Sequence, residues 1–288
     1  MRVLLWGGTH VHVSDHLAAL DAHPAVGMVD IVSADQTPHC LASVDAVILN
    51  GNTTAHLRQA REVASAHVAC FIEKPLGCTE DEALVVAATL RDVPAATGFF
   101  LHHVPAVARF LELLAAPPVH ASFTFGHDGR RRGVFDGDAS WMVDPRSGGS
   151  GSFVDLGIHL THLIDLIWPN TGVEVIDTEF YSATDGLSDS GGRAFLHIGA
   201  AKVQVEVSAE VALGFHVAAR DDVGRLYRVD DGTLRVDDDL LVEASGADAR
   251  TALLSFLDQL AGRPNGLRPA SLDEAVIAQR SVEAIRRG

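Results

Sequence analysis

The chain has 288 residues, of which 47% are hydrophobic and 21% charged, and this is enough apolar material for the cores of two lobes. Its formal net charge of −16 repels the phosphates of nucleic acids and anionic membranes, so neither is expected as a partner. Three cysteines without a framework spacing, Cys40, Cys70 and Cys78, indicate free thiols in a reducing compartment. The N-terminal apolar run is broken by glycine too early for a signal peptide, and no run approaches the roughly 20 residues of a membrane span. We therefore expect a cytoplasmic protein.

The first third of the sequence alternates between short apolar runs and segments with helical periodicity. Strands are predicted over residues 2–6, 26–33, 46–49 and 68–72, and helices over 15–21, 55–66 and from Thr79 onward. Thr79 precedes three acidic residues, which is typical of a helix N-terminus. Strands that alternate with helices form a parallel sheet, whose carboxyl-terminal edge lines a ligand crevice. The loops that follow residues 6 and 72 are therefore expected to face the same crevice.

After Pro117-Pro118 the pattern changes, and we predict one domain over residues 1–117 and a second over 118–288. Strands are predicted over 119–125, 195–198, 202–208, 227–229 and 233–236, with a hairpin turn at 230–232, and helices over 247–261 and 272–287. The run 202–207 alternates strictly between polar and apolar residues, as in a sheet with one solvent face. The predicted fold class is α/β, with an N-terminal parallel sheet and a C-terminal α+β domain that has an open, mostly antiparallel sheet.

The segment Glu73-Lys74-Pro75 comes directly after the predicted strand 68–72. Lys74 is one of only two lysines in the chain, the other being Lys202, although arginine is common. A cation at the end of a buried strand lies where the ligand crevice is expected. The alternative is a surface lysine beside a turn.

A glycine-rich loop at 147–151 leads into an apolar helix that carries Asp155, His159 and His162. At 100° per residue these three side chains lie within about 60° of one another, and so share one face. Burying such groups unpaired costs a few kcal/mol each. The pattern therefore predicts either an Asp–His pair that satisfies itself in the core or a proton-transfer pair. Metal ligation is a third and less favoured interpretation, because no cysteine accompanies the histidines.

Together these motifs resemble the GFO/IDH/MocA family of oxidoreductases, which includes glucose–fructose oxidoreductase and inositol dehydrogenase. The resemblance covers nearly the whole chain and depends mainly on Glu73-Lys74-Pro75 combined with Asp155-x-x-x-His159. Three further segments fit the family: Val44–Ile48 followed by a turn and His56 resembles its fourth strand, Gly98-Phe99 the start of its sixth, and Trp141-x-x-Asp144-Pro145 the stretch before the glycine loop.

The resemblance implies an NAD(P)-dependent enzyme with a Rossmann-type N-terminal domain, which moves a hydride between nicotinamide and a secondary alcohol/ketone, or an imine, of a sugar-like or biosynthetic intermediate. Lys74 would lie beside nicotinamide and substrate, before a proline that is often cis. His159 would be the acid–base group, with Asp155 as its orienting or relay partner. The implied cofactor-binding residues are Gly7, Gly8, Thr9, His10, Ser33, Asn50, Gly51, Asn52, His56, Glu73, Lys74 and Pro75. The implied substrate contacts are His102, Trp141 and His162, and no metal is implied. The antiparallel sheet would join subunits into a homodimer or homotetramer.

The nucleotide end departs from the family pattern. Where relatives have Gly-x-Gly-x-x-Gly, this chain has Gly7-Gly8-Thr9-His10-Val11-His12 and keeps only the first glycine. Ser33 takes the place of the acid that usually holds the adenosine ribose. Asp35 follows two residues later and would repel a 2′-phosphate, which favours NAD over NADP. Only about ten residues, 34–43, connect the second and third strands, which is short for a crossover with its helix.

The substrate side departs as well, because His102-His103 stands where relatives often have arginine and His162 where they often have aspartate. This less acidic set predicts an anionic or imine-bearing substrate. Two alternatives remain on the same scaffold, a non-redox (lyase-type) enzyme and a cofactor-sensing protein, both motivated by the altered glycine fingerprint. A metal-dependent hydrolase is a third.

Overall fold

The computed structural model describes residues 1–38, 41–183, 186–244, 246–263, 266 and 268–288. Contacts within the chain divide it into two compact units. Unit 1 comprises Met1–Phe99, Phe135–Gly149 and Ala249–Val276, and unit 2 comprises Phe100–Val134, Ser150–Asp248 and Ile277–Gly288. The domain boundary predicted at residue 117 lies inside unit 2 of this division and stays a prediction about independently folding parts.

Unit 1 contains a parallel sheet of five strands in the order β2-β1-β3-β4-β5. The elements in chain order are β1 (Arg2–Gly7), α1 (Val13–Ala22), β2 (Met28–Val32), β3 (Ala46–Asn50), α2 (His56–Ala66), β4 (Ala69–Ile72), α3 (Glu80–Thr89) and β5 (Ala95–Thr97). All residues of β3 and β4 are buried, as expected for strands that are covered on both faces. The side chain of Thr79 accepts the backbone N–H of Glu82 and caps α3, as its sequence predicted. The predicted α/β architecture of this half is confirmed.

The connection between β2 and β3 is short. Among its described residues the only regular structure is a 3-10 turn at Leu41–Ser43. Trp6, fully buried at the end of β1, donates its indole N–H to the carbonyl of Gln36 at 2.9 Å, and the Arg58 guanidinium lies 5.4 Å from the centre of its ring. The strand numbers implied by the resemblance are therefore shifted by one. The strand Ala46–Asn50 is third in the chain, and Gly98-Phe99 follows the fifth strand instead of starting a sixth.

Unit 2 contains an eight-stranded sheet in the order β13-β12-β11-β10-β6-β9-β8-β7, in which only the β6–β9 pair is parallel. Its elements in chain order are α4 (Pro105–Leu113), β6 (His120–Gly126), α5 (Ser152–Ile167), β7 (Val173–Ser182), β8 (Asp189–Ile198), β9 (Ala201–Ser208), β10 (Gly214–Arg220), β11 (Leu226–Asp230), β12 (Thr233–Val236) and β13 (Asp239–Val242). The hairpin predicted at 230–232 joins β11 to β12. The mostly antiparallel sheet is confirmed.

The helix α5 covers one face of this sheet, where it contacts β6, β8 and β9. Along β9 the apolar side chains at Val203, Val205 and Val207 are buried, whereas Lys202 on the opposite face is exposed. The alternation in the sequence therefore placed the inner face of β9 correctly.

Two helices complete the chain. α6 (Arg250–Leu260) belongs to unit 1, where it packs on α1 and β5, and His23 contacts Asp258 there at 3.2 Å. α7 (Leu272–Arg287) begins in unit 1 and ends in unit 2. No helix of the described residues is both long and apolar enough to cross a bilayer.

The described cysteines, Cys70 and Cys78, are free thiols. Cys70 is fully buried, and burial raises the pKa of its thiol, as expected for a small core residue. Cys40 lies outside the described residues.

Candidate functional site

The loop after β1 touches the loop after β3. A Cβ atom at Gly7, where φ is +132°, would lie 2.5 Å from the Asn50 carbonyl oxygen and the Gly51 nitrogen. Gly8, with φ of +89°, donates its N–H to that carbonyl at 2.7 Å, and Thr9 donates to it at 3.3 Å. Since β2 lies on the other side of β1, this is the switch point at which open α/β sheets bind ligands. Gly7 therefore allows a backbone contact that no side chain would permit, and the positive φ of Gly8 favours glycine there as well.

The start of α1 carries the histidines of the altered fingerprint. His10 is 2% exposed, with its ring centre 5.2 Å from that of His12 and 6.1 Å from that of Trp141. Trp141 donates its indole N–H to the Thr9 carbonyl at 3.2 Å. Trp141, predicted as a substrate contact, thus lies against the loop after β1. α1 begins at Val13 with no capping hydrogen bond from the side chain of its N-cap residue His12. The N–H of Val13 already bonds the His10 carbonyl at 3.0 Å, and that of His12 bonds His10 Nδ1 at 3.3 Å.

A buried histidine and carboxylate join α1 to the ends of β3 and β4. His16 Nε2 lies 2.9 Å from Glu73 Oε1, and its Nδ1 lies 2.8 Å from Asn50 Nδ2. The second carboxylate oxygen of Glu73 accepts the backbone N–H of Lys74 at 3.1 Å. Burial alone would raise the pKa of Glu73, but the charge of His10 and the hydrogen bond from His16 hold it well below its usual range. Glu73 is therefore a carboxylate in a site that excludes water.

Lys74 is itself 3% exposed, and its peptide bond to Pro75 is cis. Gly98, which follows β5, lies against the Glu73 carboxylate, since a Cβ atom there would be 2.6 Å from Oε2. The absence of a side chain at Gly98 thus leaves the room that the carboxylate occupies.

Three buried polar atoms near the carboxyl ends of β3 and β5 have no hydrogen-bond partner among the described residues: Asn50 Oδ1, His56 Nε2 and Thr97 Oγ1. Burial lowers the pKa of His56 to about 4, so that its ring is neutral at pH 7. Its Nδ1 lies 3.2 Å from the Leu76 carbonyl and must donate to it, which leaves Nε2 as an acceptor. Buried polar atoms are rarely left unpaired, and these three lie near the sheet edge at which open α/β sheets bind ligands.

Ser33 and Asp35 follow the end of β2. Ser33 donates its hydroxyl to Asp35 at 2.5 Å, and this hydrogen bond, together with the charge of Arg58, holds the pKa of Asp35 below its usual value. Arg58 reaches across from α2 and donates to the Ala34 carbonyl at 2.5 Å. The sequence places no arginine directly after Ser33, and the fold supplies one from α2.

Asn52, predicted to bind cofactor, has structural partners. Its Oδ1 caps the following 3-10 turn by accepting the N–H of Thr54, and its amide donates to the Ser147 carbonyl at 2.7 Å. Asn52 therefore fixes the loop after β3 to the 135–149 segment of unit 1.

In unit 2 the predicted proton-transfer pair lies inside the fold. Asp155 and His159 are 7% and 2% exposed and stand one turn apart on α5. The ring of His159 lies 4.7 Å from that of Phe100 and meets Phe125 edge-on at 5.9 Å. The imidazole is therefore held between two aromatic side chains.

Three further histidines meet in unit 2. The ring of His102 lies 3.9 Å from that of His103 and 5.0 Å from that of His162 on α5. Two predicted substrate contacts, His102 and His162, are thus brought together. Throughout the described residues, no three His, Cys, Asp or Glu side chains are arranged to hold a metal ion.

The N-terminus of α5 is occupied by an acid of the chain itself. Asp189 accepts the N–H of Phe153 at 2.6 Å, and Arg286 donates to the Ser150 carbonyl. A carboxylate in this position stabilises the helix dipole and fixes the start of α5. The N-terminus of α5, which follows the glycine-rich loop, is therefore already capped by Asp189.

The sequence did not single out His16, Phe100 or Phe125, and it marked Gly98 only as part of a segment that fits the family. Only His16 carried a signal, because it stands at helical spacing before the buried Ala19 and Leu20, on the face of α1 that packs inward. The other three are ordinary residues by pattern, and only the fold brings them to polar groups.

A comparison with protein-family profiles finds no match for the chain, and neither does a comparison with curated protein sequences. Solved structures do match. An oxidoreductase from Agrobacterium radiobacter, in complex with NAD+, L-tartaric acid and magnesium, is 15% identical with a TM-score of 0.80, covering 100% of this chain and 95% of that one.

Two other matching structures are of enzymes that are named for, or were solved with, a nucleotide-linked compound. The UDP-N-acetylglucosamine 3-dehydrogenase of Acidithiobacillus ferrooxidans is 18% identical with a TM-score of 0.75, covering 100% of this chain and 97% of its own. A 3-ketoreductase from Actinomadura kijaniata, in complex with NADP and TDP-benzene, is 18% identical with a TM-score of 0.77 and the same coverage. Likeness at these identities shows the fold, and the chain has the fold of the GFO/IDH/MocA-type oxidoreductases that its motifs resemble.

Proposed function

We propose that this protein is an NAD(P)-dependent oxidoreductase acting on a secondary alcohol/ketone, or an imine, of a sugar-like or biosynthetic intermediate. The observation that carries the proposal is the set of buried polar groups at the carboxyl ends of β3, β4 and β5, where Asn50, His56 and Thr97 each have an atom without a partner among the described residues and Lys74 is buried beside Glu73. The fold neighbours, which include enzymes in complex with NAD+ or NADP, support it.

The residues of unit 1 fit a dinucleotide. Gly7 and Gly8 would admit it at the switch point, the first turn of α1 would face its pyrophosphate, and Asn50 Oδ1, His56 Nε2 and Thr97 Oγ1 would bond its polar groups further along the sheet edge. When bound, nicotinamide supplies or accepts the hydride. The cradle is weaker than usual at one point, because the N–H groups of Gly8 and Thr9 are already given to the Asn50 carbonyl.

We favour NAD over NADP. The carboxylate of Asp35, oriented by Ser33, can accept from the hydroxyls of an adenosine ribose and repels a 2′-phosphate. Arg58 would attract that phosphate, but its guanidinium already bonds the Ala34 carbonyl and Glu62. Binding of NADPH at least as tight as that of NADH would contradict this assignment, and Asp35→Ser should shift the preference toward NADPH.

In the proposed reaction Lys74 donates to the oxygen or nitrogen whose bond order changes and so stabilises the more negative state. His159 takes or gives the proton of that group, and Asp155 orients it. His102, Trp141 and His162 contact the substrate. A sugar carried on a nucleotide is the substrate class that the neighbours favour, since one is a UDP-N-acetylglucosamine 3-dehydrogenase and another a 3-ketoreductase in complex with TDP-benzene.

We also propose that the open face of the eight-stranded sheet joins copies of the chain into a homodimer or homotetramer. This face carries a groove of about 430 Å³, and its lining includes Leu226 together with Ile176 and Phe195, which are 51% and 42% exposed. Large apolar side chains on a sheet face are typical of protein contacts. Sedimentation of the wild type as a monomer would contradict the proposal, and Phe195→Glu should dissociate the oligomer.

A non-redox or cofactor-sensing role on the same scaffold is the second candidate. The committed N–H groups of Gly8 and Thr9 favour it, because backbone amides at this turn ordinarily bind the pyrophosphate.

The test is a titration with NADH and NADPH, followed by energy transfer from tryptophan to nicotinamide, and then a screen of sugars, sugar nucleotides and cyclic imines for turnover. We expect micromolar or tighter binding of NADH. No binding of either cofactor by folded protein would overturn the redox proposal and favour the second candidate. Lys74→Ala should keep binding and lose turnover, with Lys202→Ala as the matched control.

A further inference from the structure

A chain of buried polar contacts connects the inner face of α1 to the backbone of Lys74. His16 is 1% exposed and lies 2.9 Å from one carboxylate oxygen of Glu73, which is 2% exposed. The other oxygen of Glu73 accepts the N–H of Lys74 at 3.1 Å. One imidazole and one carboxylate thus span the distance from the helix to the residue proposed to act in the reaction.

Stability alone does not account for this arrangement. Burying a histidine and a carboxylate costs several kcal/mol in desolvation, and an apolar pair of similar volume would hold α1 on the sheet at least as well. The surroundings are built for the pair, since the Phe71 ring meets His16 edge-on at 5.5 Å and the missing side chain at Gly98 leaves room for the carboxylate. A second pair in unit 1, His23 with Asp258, also links two elements, but its carboxylate is 23% exposed.

We infer that His16 is a positioning residue for Lys74 and acts through Glu73, an inference that rests on the proposed role of Lys74 in hydride transfer. Asn50 Nδ2 donates to His16 Nδ1, which places the ring proton on Nε2. Nε2–H then donates to Glu73 and fixes the rotation of its carboxylate, whose second oxygen holds the backbone N–H of residue 74. The lysine side chain extends from a backbone that is fixed in this way.

The two lysines make a direct test practical. Labelling with 15N-lysine gives two backbone amide signals, from Lys74 and Lys202, and Lys202 serves as internal reference because it is exposed on β9 in unit 2. His16→Gln places a side-chain N–H close to the position of Nε2, whereas His16→Asn mimics only Nδ1 and does not reach Glu73. We expect Glu73→Gln and His16→Asn to shift the Lys74 signal and leave the Lys202 signal in place. His16→Gln should leave both signals close to those of the wild type.

The matched control is His23→Asn, which breaks the partly buried contact between His23 and Asp258 in unit 1 and should leave the Lys74 signal unchanged. An unmoved Lys74 signal in His16→Asn overturns the inference, as does an equal shift in His23→Asn, which would indicate a general loosening of unit 1. If His16→Asn does not fold, hydrogen exchange of the Lys74 amide in the wild type tests the inference instead. Its Lys74 amide must exchange slowly with solvent, and exchange at the rate of an amide with no acceptor overturns the inference.

Activity adds a readout that separates this inference from the proposed function. With a substrate in hand, His16→Asn should lower kcat on the order of 10-fold to 100-fold while the Kd for the nicotinamide cofactor changes little, and His16→Gln should recover most of the loss. A wild type that binds neither NADH nor NADPH overturns the proposed function and leaves the amide result standing. Amide signals that do not respond overturn the positioning role whatever the binding result.

Discussion

The contact between the loops after β1 and β3 can be tested by adding single methyl groups at three glycines of unit 1. At Gly27 a Cβ atom meets nothing within 4 Å. At Gly8 it has one ordinary contact at 3.8 Å, but φ is +89°. At Gly7 φ is +132°, and the Cβ atom would lie 2.5 Å from three backbone atoms of Asn50 and Gly51. The three alanine variants therefore separate chain entropy, backbone strain and steric overlap.

The expected free energies of unfolding differ in sign and size. Gly27→Ala should stabilise the protein by about 0.5 kcal/mol, because it restricts only the unfolded chain. Gly8→Ala combines the same gain with about 1–2 kcal/mol of strain at positive φ and should destabilise by about 1 kcal/mol. Gly7→Ala causes similar backbone strain. In addition, its Cβ atom would overlap by nearly 1 Å with backbone atoms that are hydrogen-bonded in two strands and cannot rotate away. We expect a loss of about 3–5 kcal/mol.

Urea unfolding followed by circular dichroism measures these values, and the NADH titration run on the same samples shows whether the crevice survives. Gly7→Ala should bind NADH more weakly than Gly8→Ala under conditions where both are folded. If Gly7→Ala and Gly8→Ala lose the same free energy, the loops are not in contact as described, and the reasoning about the switch point fails.

Three further outcomes follow from the buried groups. Burial lowers the pKa of His56 from 6.5 to about 4, so its contribution to stability is complete above pH 6.5 and is lost as the pH falls toward 4. The loss is roughly 3 kcal/mol in all. His56→Asn should remove this part of the pH dependence of the free energy of unfolding in urea. Burial raises the pKa of Asp165 to about 7, so stability falls as the pH rises from 3.8 to 7, and Asp165→Asn should stabilise the protein on the order of 2 kcal/mol near pH 8 but hardly near pH 4. Lys74→Ala should lower turnover at least about 100-fold and Lys202→Ala should not, and equal losses would remove Lys74 from the reaction.

The sequence predicts those elements whose burial follows a simple period. β3 and β4 are buried on both faces and read as apolar runs, and β9 alternates because one face is covered by α5. β7 was missed for the opposite reason. It is an edge strand with register shifts at Val175/Asp177 and Tyr181/Ser182, so that no period survives over its 10 residues. Of β5 there are only three residues, too few to carry a pattern.

The candidate site divides in the same way. Lys74 was predicted as a site residue because lysine is rare here and this one follows a buried run, and Asp155 and His159 were predicted because they share one helix face. The contact between His16 and Glu73 joins residues 57 positions apart, and neither helical nor strand periodicity encodes that separation. Arg58 near Asp35 was missed for the same reason, since its approach depends on a crossover that the structure shortens.

The altered glycine fingerprint at Gly7–His12 and the buried polar groups after β3, β4 and β5 lie at different ends of one sheet edge. The two ends would therefore contribute differently to binding of the proposed dinucleotide. Near the start of α1 the N–H groups of Gly8 and Thr9 bond the Asn50 carbonyl, so the pyrophosphate of the proposed cofactor would have fewer backbone donors than the family pattern provides. From β3 to β5, by contrast, buried polar atoms lack partners and Glu73 is kept ionised beside Lys74. A desolvated carboxylate beside a buried lysine costs stability, and we expect the pair to serve the proposed reaction. If the proposed function holds, we expect the nicotinamide end of the cofactor to contribute more to binding than the adenosine end.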